Sequence, residues 1–412
     1  NADAQPITSA WVERMARVAE QAASLAVEDL DALLPCDPDT AGELTCGQQF
    51  IDTLGRRALR RPLSNYQRAL FLGLFSSARV SWGFKAAIRL TLEAMLQSPL
   101  FLYRVEFGLP ESEQQGVRRP TPHEMAARLS YLLWGTMPDE VLDTRADMGG
   151  LVHPDDIVAE AQRMVEDERA QRLVDSFHRQ WFQTDRLLYL FNVYGDFQQL
   201  WAETRLFVQD VVFGLGGGGL DDLLTSHHSI LDNTLINLYG AEASGPIVTS
   251  WILDDPLLSE QSTFKRVALD PEQRGGLLTQ ASFLSVNSNS PSPAKTIIKR
   301  GVFILDKLLC QPIPSPPPDI PELESIDAGP NTTPVELLAL HPGDPACAGC
   351  HDLVDPVGIL FENYAASGAW RDTYGGVFPV ESTAELFGTP VDGDYDGARD
   401  LIDTLATDAS VA

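Results

Sequence analysis

Apolar residues recur at three- and four-residue spacing through most of the first 240 positions, and this period restricts the fold more than any other feature. "TSAWVERMARVAEQAASLAVEDLDALL" keeps it from Trp11 to Leu34. "QQFIDTLGRRALRRPLS" and "SNYQRALFLGLFSSAR" follow, with Pro62 as the break and Ser64 as the next cap. "GFKAAIRLTLEAMLQSP" is a further amphipathic helix ended by Pro99. "TPHEMAARLSYLLWG" carries a full start signature: Thr121 caps, Pro122 is the first helical residue, Glu124 closes a capping box, and Gly135 ends the helix. Another helix begins near "PDEVL". "PDDIVAEAQRMVEDERAQRLVDSFHRQWFQTD" is long and strongly periodic, and "WAETRLFVQDVVFGL" closes the lobe before the glycines at 216–219. No repeat at a solenoid period occurs.

Beyond residue 240 the pattern weakens. "PIVTSWIL" reads as a short strand, "SVNSNSPSPAK" as a polar loop and "AKTIIKRGVFILDKLL" as a helix. "CQPIPSPPPDIPELE" holds too many prolines for a helix or central strand and predicts an extended linker. The expectation is a mainly α protein: a multi-lobed helical body, a proline-rich linker and a small C-terminal domain. The segments are 1–110 and 111–245 (helical domains), 246–311 (a connecting segment and helix), 312–335 (the linker) and 336–412.

Charge excludes several partners. Acids outnumber bases 58 to 30 among 412 residues, a formal charge of −28. Phosphate backbones need a basic footprint, so nucleic acid is not expected, nor is docking on an anionic leaflet. A charge-steered partner should carry a basic patch. No run of about 18 apolar residues occurs, so no transmembrane helix is expected. The sequence opens on Asn1, so either a targeting segment has been removed or the stretch is a fragment.

The chemistry sits at "DPACAGCHDL", residues 344–353. Cys347-Ala-Gly-Cys350-His351 is the attachment pattern of c-type haem. Two thiols one helical turn apart meet the two vinyl groups on a porphyrin edge, and the next residue supplies an imidazole to iron. With five Cys and seven His in the chain, chance produces the pattern roughly once in a thousand such sequences. A zinc half-site would need a second ligand pair, and a thioredoxin-like motif would need a βαβ context; neither is present. Leu353, Val354, Pro356, Ile359, Leu360, Phe361 and Tyr364, with Trp370, offer apolar cover for a porphyrin face. Arg371, nearby, and Arg300, distant, are the candidates for its propionates.

Several blocks together resemble the planctomycete-type cytochrome c proteins. "FIDTLGRRALRRPLS" and "LEAMLQSPLFLYRVE" are similar to their first helical domain, and "EMAARLSYLLWGTMPDE", "FHRQWF" and "LDNTLINLYG" to their second. "RGGLLTQASFLSV", "KRGVFILDKLLCQPIPSPPP" and "ACAGCHDLVDPVGILFENYAASGAWR" resemble their cytochrome-like domain. The wording departs from the family at "SPSPAKTIIKRG". The resemblance implies a secreted haem protein and supplies no reaction.

No methionine follows the motif; the last is Met164. A sixth iron ligand must therefore come from the helical body or be absent. Met137, in the "WGTMPDE" turn, and His178, on a helix face with Val174, Phe177 and Trp181, are the candidates, followed by His123 and then His227 and His228. His341 reads as a loop residue beside Pro342. Cys36 and Cys46 suit a disulfide across a short polar loop in a periplasmic or extracellular protein, stabilising by roughly 2–3 kcal/mol; the other reading is two free thiols. Cys310 is then either buried or paired outside the sequence. Asp392, Asp394 and Asp396 stand in calcium-loop register, but Arg399 and Asp403 depart from the pattern, and a turn with a helix cap fits better than Ca2+.

Three functions compete. A monohaem electron-transfer protein, meeting a basic redox partner, is the leading one. A peroxidase-like haem enzyme with an open sixth position is the second. A structural or assembly subunit of a larger complex that carries haem is the third. No other catalytic constellation stands out.

Overall fold

The computed structural model describes residues 7–189, 197–214, 217–255, 258, 263–288, 292–314, 332–340 and 345–408, the last segment with side chains from 348 onward. Expectations for the proline-rich stretch 315–331 and for His341 lie outside these residues.

The chain divides into two compact units, Asn1–Leu173 and Val174–Ala412. Both are built mainly from helices, as the 3.6-residue period predicts.

In the first unit, α1 (Ser9–Ala26), α2 (Glu43–Leu59), α3 (Asn65–Trp82) and α4 (Phe84–Leu96) bury Phe50, Ile51, Phe71, Phe75, Ile88 and Met95 together. Ser64 caps α3 in a reciprocal box with Gln67. A single residue, Gly83, joins α3 to α4; its φ of 86° lies in the left-handed region that side chains disfavour. The Cys36–Cys46 disulfide is formed, and the loop it closes contains one helical turn, Pro38–Ala41.

A second cluster forms around Trp134, Leu142 and Met164 from α5 (Pro122–Leu133), α6 (Glu140–Asp147) and α7 (Pro154–Val165). Thr121 and Glu124 cap α5 as expected. The long periodic stretch after residue 154 is two helices, because Asp167 interrupts it. Its carboxylate accepts from the backbone N–H and the guanidinium of Arg169, which hold it down to about 2, and α8 (Glu168–Trp181) starts there.

In the second unit, α9 (Phe197–Phe213) is buried along nearly its whole length. The chain continues through α10 (Leu220–Thr225), α11 (Asn233–Tyr239), α12 (Ala281–Val286), α13 (Pro293–Phe303), α14 (Pro334–Ala339), α15 (Pro345–Ile359) and α16 (Gly397–Thr407). A π-helical turn, Ile304–Leu308, extends α13. One core runs continuously through Phe207, Phe283, Phe303, Val357, Phe361 and Leu401.

Sheet is confined to antiparallel pairs. β1 (His228–Leu231) pairs with β2 (Lys265–Ala268), His228 opposite Ala268. β3 (Thr383–Leu386) pairs with β4 (Gly393–Asp396), and a two-residue pair lies at 373–379. The strand expected at "PIVTSWIL" is not formed: Ile247 makes one isolated bridge to Lys265, and Trp251–Asp254 is a 3-10 turn capped by Ser250.

Candidate cofactor site

The Cys-x-x-Cys-His motif lies on α15, which opens on a proline at a position where the missing N–H costs nothing. Positions 347 and 350 are one turn apart on this helix. Cys350 carries a half-buried free thiol.

The helix has two faces of different use. Val354, Val357, Leu360 and Phe361 enter the core of the second unit. His351, Asp355, Pro356 and Ile359 line a groove of about 570 Å³, whose other wall is Val335 and Leu338 of α14, with Phe387 at one side. That volume is within the roughly 300–1,000 Å³ of small-molecule and cofactor pockets.

Two glycines seat α15. A Cβ on Gly358 would lie 2.0 Å from the Ile297 carbonyl oxygen, and one on Gly301 would lie 2.1 Å from that of Val354. Only hydrogen at both positions lets the backbones of α13 and α15 approach this closely.

His351 is fixed from below. Its Nδ1 is 2.9 and 3.0 Å from the two carboxylate oxygens of Asp355, one turn later. Burial raises Asp355 to about 6, against the pull of the imidazole. With both oxygens this close to Nδ1, the ionised carboxylate is the acceptor of the contact. With Nδ1 donating to that carboxylate, the lone pair of the ring lies on Nε2. Sequence reading does not single out Asp355; the signal for it is its four-residue spacing from His351 on a helix.

Of the residues expected around a porphyrin, the groove brings His351, Leu353, Pro356 and Ile359 together. Phe361 and Tyr364 belong instead to the core. The Tyr364 hydroxyl donates to the carbonyl of Gln273, and burial pushes it up to about 12. Arg300 is fully buried. Its guanidinium donates to the carbonyls of Phe361 (2.8 Å), Tyr364 (2.9 Å) and Ala365 (3.2 Å) and to the Ser288 hydroxyl (2.9 Å). Arg371 pairs with the buried Glu362 at 2.9 Å, which Tyr374 also reaches at 2.9 Å. Both arginines thus brace the turn after α15, and the described lining of the groove holds no Arg or Lys.

None of the distal candidates is in the described lining of the groove. Met137 is half-buried in the first unit, beside Leu92, Met95 and Tyr131. His178 is buried in the second, its Nδ1 2.8 Å from the Val174 carbonyl, and burial lowers its pKa, so it is a neutral donor. His123 pairs with Asp147, and His228 with Asp210. His227 faces the Arg274 carbonyl. Cys310 is exposed rather than buried.

The aspartates read as a possible Ca2+ loop form a different structure. Asp392 accepts from the backbone and hydroxyl of Thr389, while Asp394 and Asp396 lie on β4, held extended by pairing with β3. Among the described residues no group of three His, Cys, Asp or Glu is placed to hold a metal.

Fold and site together define a class: a multi-lobed helical protein with a Cys-x-x-Cys-His helix flanking an apolar groove. Comparison with family models gives three matches, each to a family described as a protein of unknown function: PSD5 (DUF1595) over residues 46–106, PSD4 (DUF1592) over 121–241 and PSCyt3 (DUF1588) over 274–374. All three are planctomycete cytochrome c-type domains, in agreement with the resemblance carried by the sequence blocks. No curated protein and no solved structure matches the chain. Among the described residues no helix is long and apolar enough to cross a membrane.

Proposed function

We propose that the chain binds one haem c covalently through Cys347 and Cys350, with His351 as proximal ligand, and carries electrons outside the cytoplasm. The observation that supports this best is the placement of His351: it lines an apolar groove, directly after Cys350, with Nδ1 engaged by Asp355. When bound, haem supplies a one-electron iron couple. The chain's part is to hold the imidazole, cover the ring with Val335, Leu338, Pro356 and Ile359, and keep water from one face. Haem attachment and the Cys36–Cys46 disulfide both suit a periplasmic or cell-surface compartment. A charge of −28 favours a redox partner with a basic patch, in an association that weakens as salt rises.

One observation favours the second reading, a haem enzyme. The described lining of the groove contains no Met and no second His, so no sixth ligand is at hand there. Optical spectra of the purified holoprotein separate the two. Electron transfer predicts a low-spin, six-coordinate spectrum, altered by substitution of Met137 or His178. A high-spin ferric spectrum that binds cyanide readily and is unmoved by either substitution would replace electron transfer with the enzyme reading.

A further inference from the structure

We propose that Asp355 is a positioning residue for the proximal imidazole: its carboxylate holds Nδ1 of His351 and strengthens Nε2 as a donor to iron. This rests on the reading of His351 as the haem ligand.

The contact differs from an ordinary four-residue ion pair on a helix. Such pairs lie in water and are weakened by it. Here the two side chains are 15% and 13% exposed, and Nδ1 meets both carboxylate oxygens within 3.0 Å. Both line the same groove, so the ring is held at the place where a porphyrin face would lie. Asp352 lines that groove too but is exposed, and Asp355 is the carboxylate at Nδ1.

The consequence is electronic as well as geometric. A neutral acceptor at Nδ1 only orients an imidazole. A carboxylate also draws the Nδ1 proton toward itself and leaves the ring partly imidazolate, which raises its basicity as a ligand. A stronger donor stabilises ferric over ferrous iron, so the reduction potential falls. Asp355 therefore biases the iron toward its oxidised state.

The test uses the full-length holoprotein and its Asp355→Asn variant, with Asp352→Asn as a control that removes a nearby charge without touching Nδ1. Haem content by intact mass should be unchanged in both. In Asp355→Asn the ratio of reduced to oxidised protein at a fixed ambient potential should rise at least tenfold, a shift of about 59 mV for one electron. Asp352→Asn should shift it much less, and Asp355→Glu should restore part of the difference. Imidazole 15N shifts of the haem-free protein should show the Nδ1–H tautomer at His351, the one in which Nδ1 donates to Asp355. Equal potentials for the two Asn variants, or an Nε2–H tautomer in the haem-free wild type, overturn the proposal. The tautomer measurement needs no variant to accumulate. Absence of haem from the wild type would refute the haem reading instead, leaving the tautomer to report on the Asp355 contact.

Discussion

Glu203, on α9, is a carboxyl group with no exposure to solvent. Ser229 donates to one oxygen at 2.8 Å and Tyr239 to the other at 2.7 Å. Burial outweighs both hydrogen bonds and raises the group from 4.5 to about 7. Between those values the folded chain holds a proton that the unfolded chain has released. Stability therefore falls as pH rises from about 4.5 to about 7, by roughly 3 kcal/mol in all, and is level in this respect above it. Glu203→Gln should remove that slope, measured as unfolding free energy against pH; an unchanged slope would count against a protonated Glu203. At this scale the sequence shows what is local. Ser64 and Thr121 are readable as caps because their partners stand three residues on. Arg300 and Arg371 are readable only as cations. Arg300 binds carbonyls 61 to 65 positions away, and no local pattern announces such partners.

Among the elements, α15 and its crossing with α13 decide where the motif sits. Gly358→Ala would drive a methyl into a backbone carbonyl of α13, and no rotamer relieves that contact. The expected loss is about 3 kcal/mol, at the upper end of overpacking effects. Gly349 lies on the same helix with nothing within 4 Å of its virtual Cβ. Gly349→Ala should be neutral or stabilise by about 0.5–1 kcal/mol through helix propensity. Denaturant midpoints of the two variants check this, and equal midpoints would contradict the crossing. The longer helices of the body are readable because their apolar faces repeat over three or more turns. The strand pair His228–Leu231 with Lys265–Ala268 is not: each strand has four residues, and the partners are separated by a long connection. The expected strand at "PIVTSWIL" fails for the related reason that a short apolar run has no period of its own. The division of the long stretch after residue 154 turns on one side chain, Asp167, whose capping role outweighs the helical periodicity around it.

For the molecule as a whole, the sequence conveys the helical class and the position of the motif. It does not convey that the motif helix shares one continuous core with α9 and α13, because that core is assembled from residues as far apart as Phe207 and Leu401. The shared core has a functional meaning under the proposed reading: it anchors the helix that would carry the iron-ligating imidazole. The proposal as a whole depends on covalent attachment at Cys347 and Cys350. Intact mass under denaturing conditions measures this most directly, on protein produced in a host that attaches haem c. The account predicts the chain plus one haem, held through denaturation, and loss or weakening of attachment in Cys350→Ser. A wild-type mass equal to that of the bare polypeptide would contradict it.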